Sequence, residues 1–121
     1  MIKGVGTDII EIERIRKALE KRESFIERLF TKKEEILFRS RNYRVETIAG
    51  NFAAKEAVSK ALGTGIIFSW KDIEILRNED GKPYVVLNGM AKKIYDEKDC
   101  NNIQISISHN KEHAIANCMI E

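Results

Sequence analysis

Proline is almost absent: Pro83 is the only one, so the chain has no Pro-rich linker or spacer. Cysteine is scarce too. Cys100 and Cys118 stand in separate segments without metal-ligand spacing, which points to reduced thiols in a cytosolic protein. No window approaches the roughly 20 consecutive apolar residues that a membrane span needs. The opening MIKGVGTDIIEI is broken by Gly, Thr, Asp and Glu, with no small-residue cleavage site behind it, so it does not read as a secretory leader. There is no internal repeat and no low-complexity tract. Nor do aromatic residues alternate with basic ones, which argues against nucleic acid as the partner.

What is present fits one globular unit. Hydrophobic residues make up 43% and charged residues 33% of the chain, a balance that folds rather than stays disordered. At 121 residues, the chain is expected to form a single domain spanning residues 1–121. The net charge of +2 is unevenly spread: residues 11–44 hold 11 Lys/Arg against 7 Asp/Glu, an excess of 4, which leaves −2 for the rest. That asymmetry points to an acidic partner for this segment.

Alternation predicts a strand over residues 2–12, with Ile2, Gly4, Gly6, Asp8, Ile10 and Ile12 on one face. Residues 13–22 are rich in helix formers. Ser24 with Glu27 and Thr31 with Glu34 each have capping-box spacing and predict two short helices. A long helix is expected over 46–62, ended by Gly63. In DIEILRNEDGKPYVVL, two β-rich runs flank Asp80-Gly81 and predict a hairpin. A helix around 89–97 and two strands joined near His109-Asn110-Lys111 complete the chain. Strands and helices mix without βαβ alternation. The predicted class is therefore α+β, an antiparallel sheet packed against a long central helix.

The chemistry concentrates in FAAKEAVSKALGTG, residues 52–65. Lys55, Glu56, Ser59, Lys60 and Gly63 fall within about 140° of one another on a helix, while alanines, Val58 and Leu62 fill the rest. Read alone, this is an amphipathic helix with a Glu56–Lys60 ion pair on its solvated face. Asp8 adds a second reading: a mid-strand carboxylate among isoleucines needs a partner, and Gly4 and Gly6 leave space beside it. One strand carboxylate and one helix carboxylate suit Mg²⁺, with Lys60 in reach of a phosphate. At SISH, residues 106–109, His109 ends a strand face formed with Ile103, Ile105 and Ile107. It reads as an ordinary polar residue or as a phosphate contact. A nucleotide- or acidic-protein-binding module without catalysis, and a Mg²⁺-dependent hydrolase of nucleoside diphosphates, remain alternatives.

VGTDI, FAAKEAVSKALGTG, DGKPYV and SISH, in this order and spacing, closely resemble the holo-acyl-carrier-protein synthases, the short 4′-phosphopantetheinyl transferases. The resemblance implies transfer of 4′-phosphopantetheine from coenzyme A to a serine of apo-acyl carrier protein, in support of fatty acid biosynthesis. It implies that Asp8 and Glu56 bind Mg²⁺ and that Lys60 serves the leaving phosphate. It places Lys55, Gly63, Thr64, Gly65, Lys82, Pro83 and His109 near coenzyme A, and it implies a cytoplasmic homotrimer with sites at subunit interfaces. Since acyl carrier proteins are acidic, it turns the helical stripe Arg14, Lys17 and Lys21, followed by Phe25 and Arg28, into a docking surface. One departure stands out: relatives often carry a basic residue where this chain has Asn51.

Overall fold

The computed structural model describes residues 1–121. Along the chain run β1 (Gly4–Glu11), α1 (Ile12–Lys21), α2 (Phe25–Leu29), α3 (Lys32–Ser40) and α4 (Val45–Ala61). A single 3₁₀ turn (Trp70–Asp72), β2 (Ile73–Arg77), β3 (Pro83–Leu87), α5 (Gly89–Glu97), β4 (Ile103–His109) and β5 (His113–Ile120) follow. The α+β class is as expected, but the antiparallel strands divide between two sheets. One has the order β1-β5-β4; the other is the β2-β3 hairpin.

Strand alternation sets what faces α4. Gly6, Asp8 and Ile10 of β1 lie opposite Cys118, Ala116 and Ala114 of β5, and Ile105 and Ile107 of β4 share that side. The alanines and glycines bring α4 unusually close. A Cβ added to Gly6 would lie 1.9 Å from the Ala57 carbonyl oxygen, and one added to Gly4 would lie 1.9 Å from that of Ala61. The space expected beside Asp8 is therefore filled by the helix backbone. Any side chain at Gly6 forces α4 off the sheet, an overpacking cost of about 3 kcal/mol.

The amphipathic reading of α4 is corrected by the same packing. Ile48, Ala49, Ala53, Ala54, Ala57, Val58 and Ala61 are buried, but so are Asn51, Lys55 and Ser59. Sheet, hairpin and the helices α1 and α3 surround α4, and among its second-half charges only Glu56 and Lys60 reach solvent. Aromatic rings close its flank: Phe52 stacks on Trp70 at 4.9 Å between centroids and on Phe25 at 6.4 Å.

Two local expectations differ. Thr31 and Glu34 form the full capping box, but Ser24 caps nothing: its backbone (φ −86°, ψ 5°) lacks the extended geometry of an N-cap. The hairpin loop is also wider than a two-residue turn. It spans residues 78–82, with Asn78 Oδ1 accepting from the Asp80 and Lys82 amides at 2.9 Å each.

Candidate active site

Asp8 is the inward position on β1 that follows Gly4 and Gly6, at the edge of the contact with α4. Glu56 and Lys60 rise to meet it from successive turns of the helix. Lys60 Nζ donates to Asp8 Oδ1 at 3.1 Å and to the Thr7 carbonyl at 2.9 Å. The expected Glu56–Lys60 pair does not form, because the ammonium bridges to the strand instead. Glu56 is half-buried, and its carboxyl is pushed above the usual range by that burial and then by the neighbouring Asp8 carboxylate; Lys60 and Arg14 pull the other way.

Two like charges held side by side, at a site that raises the proton affinity of one, fit a hard cation. No third His, Cys, Asp or Glu joins them. That donor set suits Mg²⁺, which takes one or two carboxylates and completes its shell with water and phosphate oxygens. Just beyond Lys60, α4 ends. The amides of Thr64 and Gly65 donate back to the Ser59 carbonyl at 3.2 Å, and Gly63 turns the chain at φ 87°, where only glycine is unstrained. The Lys98 ammonium donates to the Leu62 carbonyl beside this turn.

Lys55 does not belong to this group. Its side chain is 0% exposed and points into the protein, where Nζ donates to Glu34 Oε1 at 2.7 Å, to the Trp70 carbonyl at 3.0 Å and to the Ile73 carbonyl. With three acceptors engaged and no exposed surface, the ammonium is structural rather than a coenzyme A contact. Burial pushes the Lys55 pKa down and that of Glu34 up, each against the pull of its partner. The sequence placed Glu34 only as a helix cap; nothing in its spacing announced the buried ion pair.

A second polar site lies at the other end of α4. Pro83 and His109, expected near coenzyme A, line a cavity of about 230 Å³ with Arg41, Arg44 and Arg77, beside Glu46, Thr47 and Gly50 of α4. The three arginines were not foreseen, since loop and strand-end cations carry no periodic signal. Lys82 turns away from the cavity and donates to Gln104 Oε1 at 3.2 Å. Asn51 is buried too, so position 51 does not meet this surface directly.

Arg14, Lys17, Lys21 and Phe25 do come together, with Ala18 and Arg22, around an open groove of about 330 Å³. None of these cations forms an ion pair; the local pair is Arg16 with Glu13. Arg28 is exposed on α2 but lies outside the groove. Both cysteines are free, and burial pushes the Cys118 thiol up to about 12. No helix is long and apolar enough to cross a membrane.

A central helix packed on an antiparallel sheet, with an acidic pair and a lysine gathered at their junction, defines the α+β class of this protein. The profile of the 4′-phosphopantetheinyl transferase superfamily matches residues 4–118, and the chain belongs to that family. The holo-[acyl-carrier-protein] synthase of Alkaliphilus oremlandii is 56% identical over 117 residues, 96% of each chain. Among solved structures, holo-[acyl-carrier-protein] synthase from Neisseria meningitidis matches with a TM-score of 0.90 and 34% identity, covering 100% of this chain and 99% of that one. The Helicobacter pylori synthase in complex with coenzyme A matches with a TM-score of 0.85 and 34% identity, covering 97% and 99%.

The Lys55–Glu34 pair yields a direct test. Lys55→Met strands a buried carboxylate and is expected to cost about 3–5 kcal/mol, whereas adding Glu34→Gln recovers part of that loss. Urea unfolding midpoints at constant m-value measure both. A single-variant loss below about 1 kcal/mol would mean the pair does not hold α4 to α3.

Proposed function

We propose that this chain transfers 4′-phosphopantetheine from coenzyme A to a serine of an apo-acyl carrier protein and releases adenosine 3′,5′-bisphosphate, supplying holo-carrier for fatty acid biosynthesis. The observation that carries the reading is the gathering of Asp8, Glu56 and Lys60 at one strand–helix junction in a chain of this superfamily. The serine oxygen forms a bond to the phosphorus that bears pantetheine as its hydroxyl bond breaks and the proton passes to water. The bond from that phosphorus to the bridging oxygen breaks, and its electron pair leaves with the nucleotide.

Asp8 and Glu56 would hold Mg²⁺ through their oxygens. When bound, the ion neutralises charge on the phosphates as a Lewis acid. Lys60, still half-exposed while tied to Asp8, can swing its ammonium onto the leaving oxygen as negative charge grows there. Gly63, Thr64 and Gly65 follow within one turn and offer backbone rather than bulk to the substrate. The basic groove of Arg14, Lys17, Lys21 and Phe25 receives the acidic carrier. Arg14 lies close enough to act on the charge of Glu56, which sets the groove on the side of the carboxylate pair. The free thiols accord with a cytoplasmic location.

The working unit of this proposal is a homotrimer of single-domain chains. The number three comes from the family resemblance, and two observations support association of copies. The sheet face away from α4 exposes Val5 (64%) and Ile9 (61%), next to a cavity of about 410 Å³ lined by Ile2, Val5 and Met119. The arginine cavity and the carboxylate pair also sit apart on one chain: Thr47 and Lys60 are separated by about 20 Å along α4. A neighbouring copy would bring one site to the other.

Incubation with apo-acyl carrier protein, coenzyme A and Mg²⁺ is expected to add phosphopantetheine to the carrier serine, read by intact mass. Asp8→Asn and Glu56→Gln each lower turnover at least about a hundredfold with the fold intact. Coenzyme A binding without transfer would leave a binding module instead. Lys17→Glu with Lys21→Glu is expected to raise KM for the carrier roughly tenfold at low salt and flatten its salt dependence, with KM for coenzyme A unmoved. If both KM values hold steady, the carrier docks elsewhere. Val5→Glu with Ile9→Glu is expected to sediment at the 13.9 kDa of one chain and lose transfer. Wild-type protein that sediments as a fully active monomer refutes the trimer.

A further inference from the structure

Asn51 has 0% exposure, and each of its polar atoms is engaged. Nδ2 donates to Glu34 Oε2 at 3.1 Å and to the Ile75 carbonyl at 2.9 Å. Oδ1 accepts from Arg77 Nη2 at 2.9 Å. These partners fix the sense of the amide. Turned over, its N–H groups would face the guanidinium and its oxygen the Glu34 carboxylate. The carboxamide thus forms a one-way link from the buried Lys55–Glu34 pair to Arg77.

At the far end of that link, three arginines converge with Glu46 as the one carboxylate among them. Arg77 and Arg41 form no ion pair, and Arg44 reaches Glu46 only at 3.9 Å. Burial and then the Arg41 charge lower the Arg77 pKa to about 10, with Glu34 opposing. Like charges gathered in one cavity with His109 are unfavourable until an anion with several acceptor oxygens joins them. Coenzyme A has two anionic parts. Its pyrophosphate contains the reacting phosphorus and belongs with Asp8, Glu56 and Lys60, which leaves its ribose phosphomonoester for a second cationic site.

We propose that Asn51 is a positioning residue: it presents Arg77, still fully charged, to the phosphomonoester of coenzyme A. The inference rests on the transfer reading above. A neutral acceptor is what the position requires, because a carboxylate at 51 would neutralise Arg77 and repel Glu34.

Calorimetric titration without carrier tests this, comparing coenzyme A with dephospho-coenzyme A, which lacks that phosphomonoester. Wild type is expected to prefer coenzyme A. Arg77→Gln and Asn51→Asp are each expected to weaken coenzyme A binding about tenfold or more, while dephospho-coenzyme A stays within about twofold of wild type. A merely structural role would weaken both ligands alike. If Asn51→Asp fails to fold, Asn51→Ser decides by the same ratio. A wild-type ratio in either the Arg77 variant or the folded Asn51 variant overturns the inference. Wild type that binds neither ligand sinks the transfer reading, and the inference with it.

Discussion

Backbone against backbone, β1 and α4 meet at Gly4 and Gly6 with no strand side chain between them, and the rest of the molecule is arranged around that contact. Gly4 and Gly6 remove the Cβ atoms that would keep the helix away, and the alanines facing them keep its own surface low. The approach buries α4 on nearly every side, so even its polar residues need partners inside the protein. It also sets the two carboxylates beside each other. Asp8 emerges where the glycines end, and Glu56 and Lys60 are carried to it by the pitch of a helix that has no freedom to slide.

Burial of the polar residues has its own solution on the opposite flank. Lys55, Glu34 and Asn51 saturate one another and three backbone carbonyls, tying α3, α4 and the hairpin together. Replaced by apolar side chains of equal volume, such a cluster would be no less stable in general. Its value lies in direction: each group has one arrangement that satisfies all the others. The two faces of the KEA segment therefore do different work, with Lys55 organising the interior and Glu56 turned outward beside Asp8.

Much of this was legible in the sequence, and the failures share a cause. Elements with strong local signals were read within a residue or two, among them β1, α4 with its terminal Gly63, the hairpin, and the last two strands. That Asp8 meets charged partners from α4 was legible because an isolated carboxylate on an apolar strand is anomalous by itself. Lys55 was misplaced because helical periodicity cannot tell a buried charge from a solvated one; only Glu34, 21 residues earlier, distinguishes them. Ser24 had the spacing of a cap without the backbone for it. Arg41, Arg44 and Arg77 converge from a loop, a helix start and a strand end, and no one-dimensional pattern links such positions.

The glycine-floored contact also limits how this protein can vary. A helix seated on a sheet through backbone atoms works like a fixed ruler: every residue along it has one address, and shifting any of them by a fraction of a turn would need α4 to unseat. Distances among Asp8, Glu56 and Lys60 are therefore not adjustable by small substitutions in the core. Freedom to change lies in α1, α2, the hairpin loop and the outer face of the sheet, none of which sets that ruler. Drift there can reshape the basic groove and the exposed apolar face of the sheet, while the spacing of Asp8, Glu56 and Lys60 stays constant.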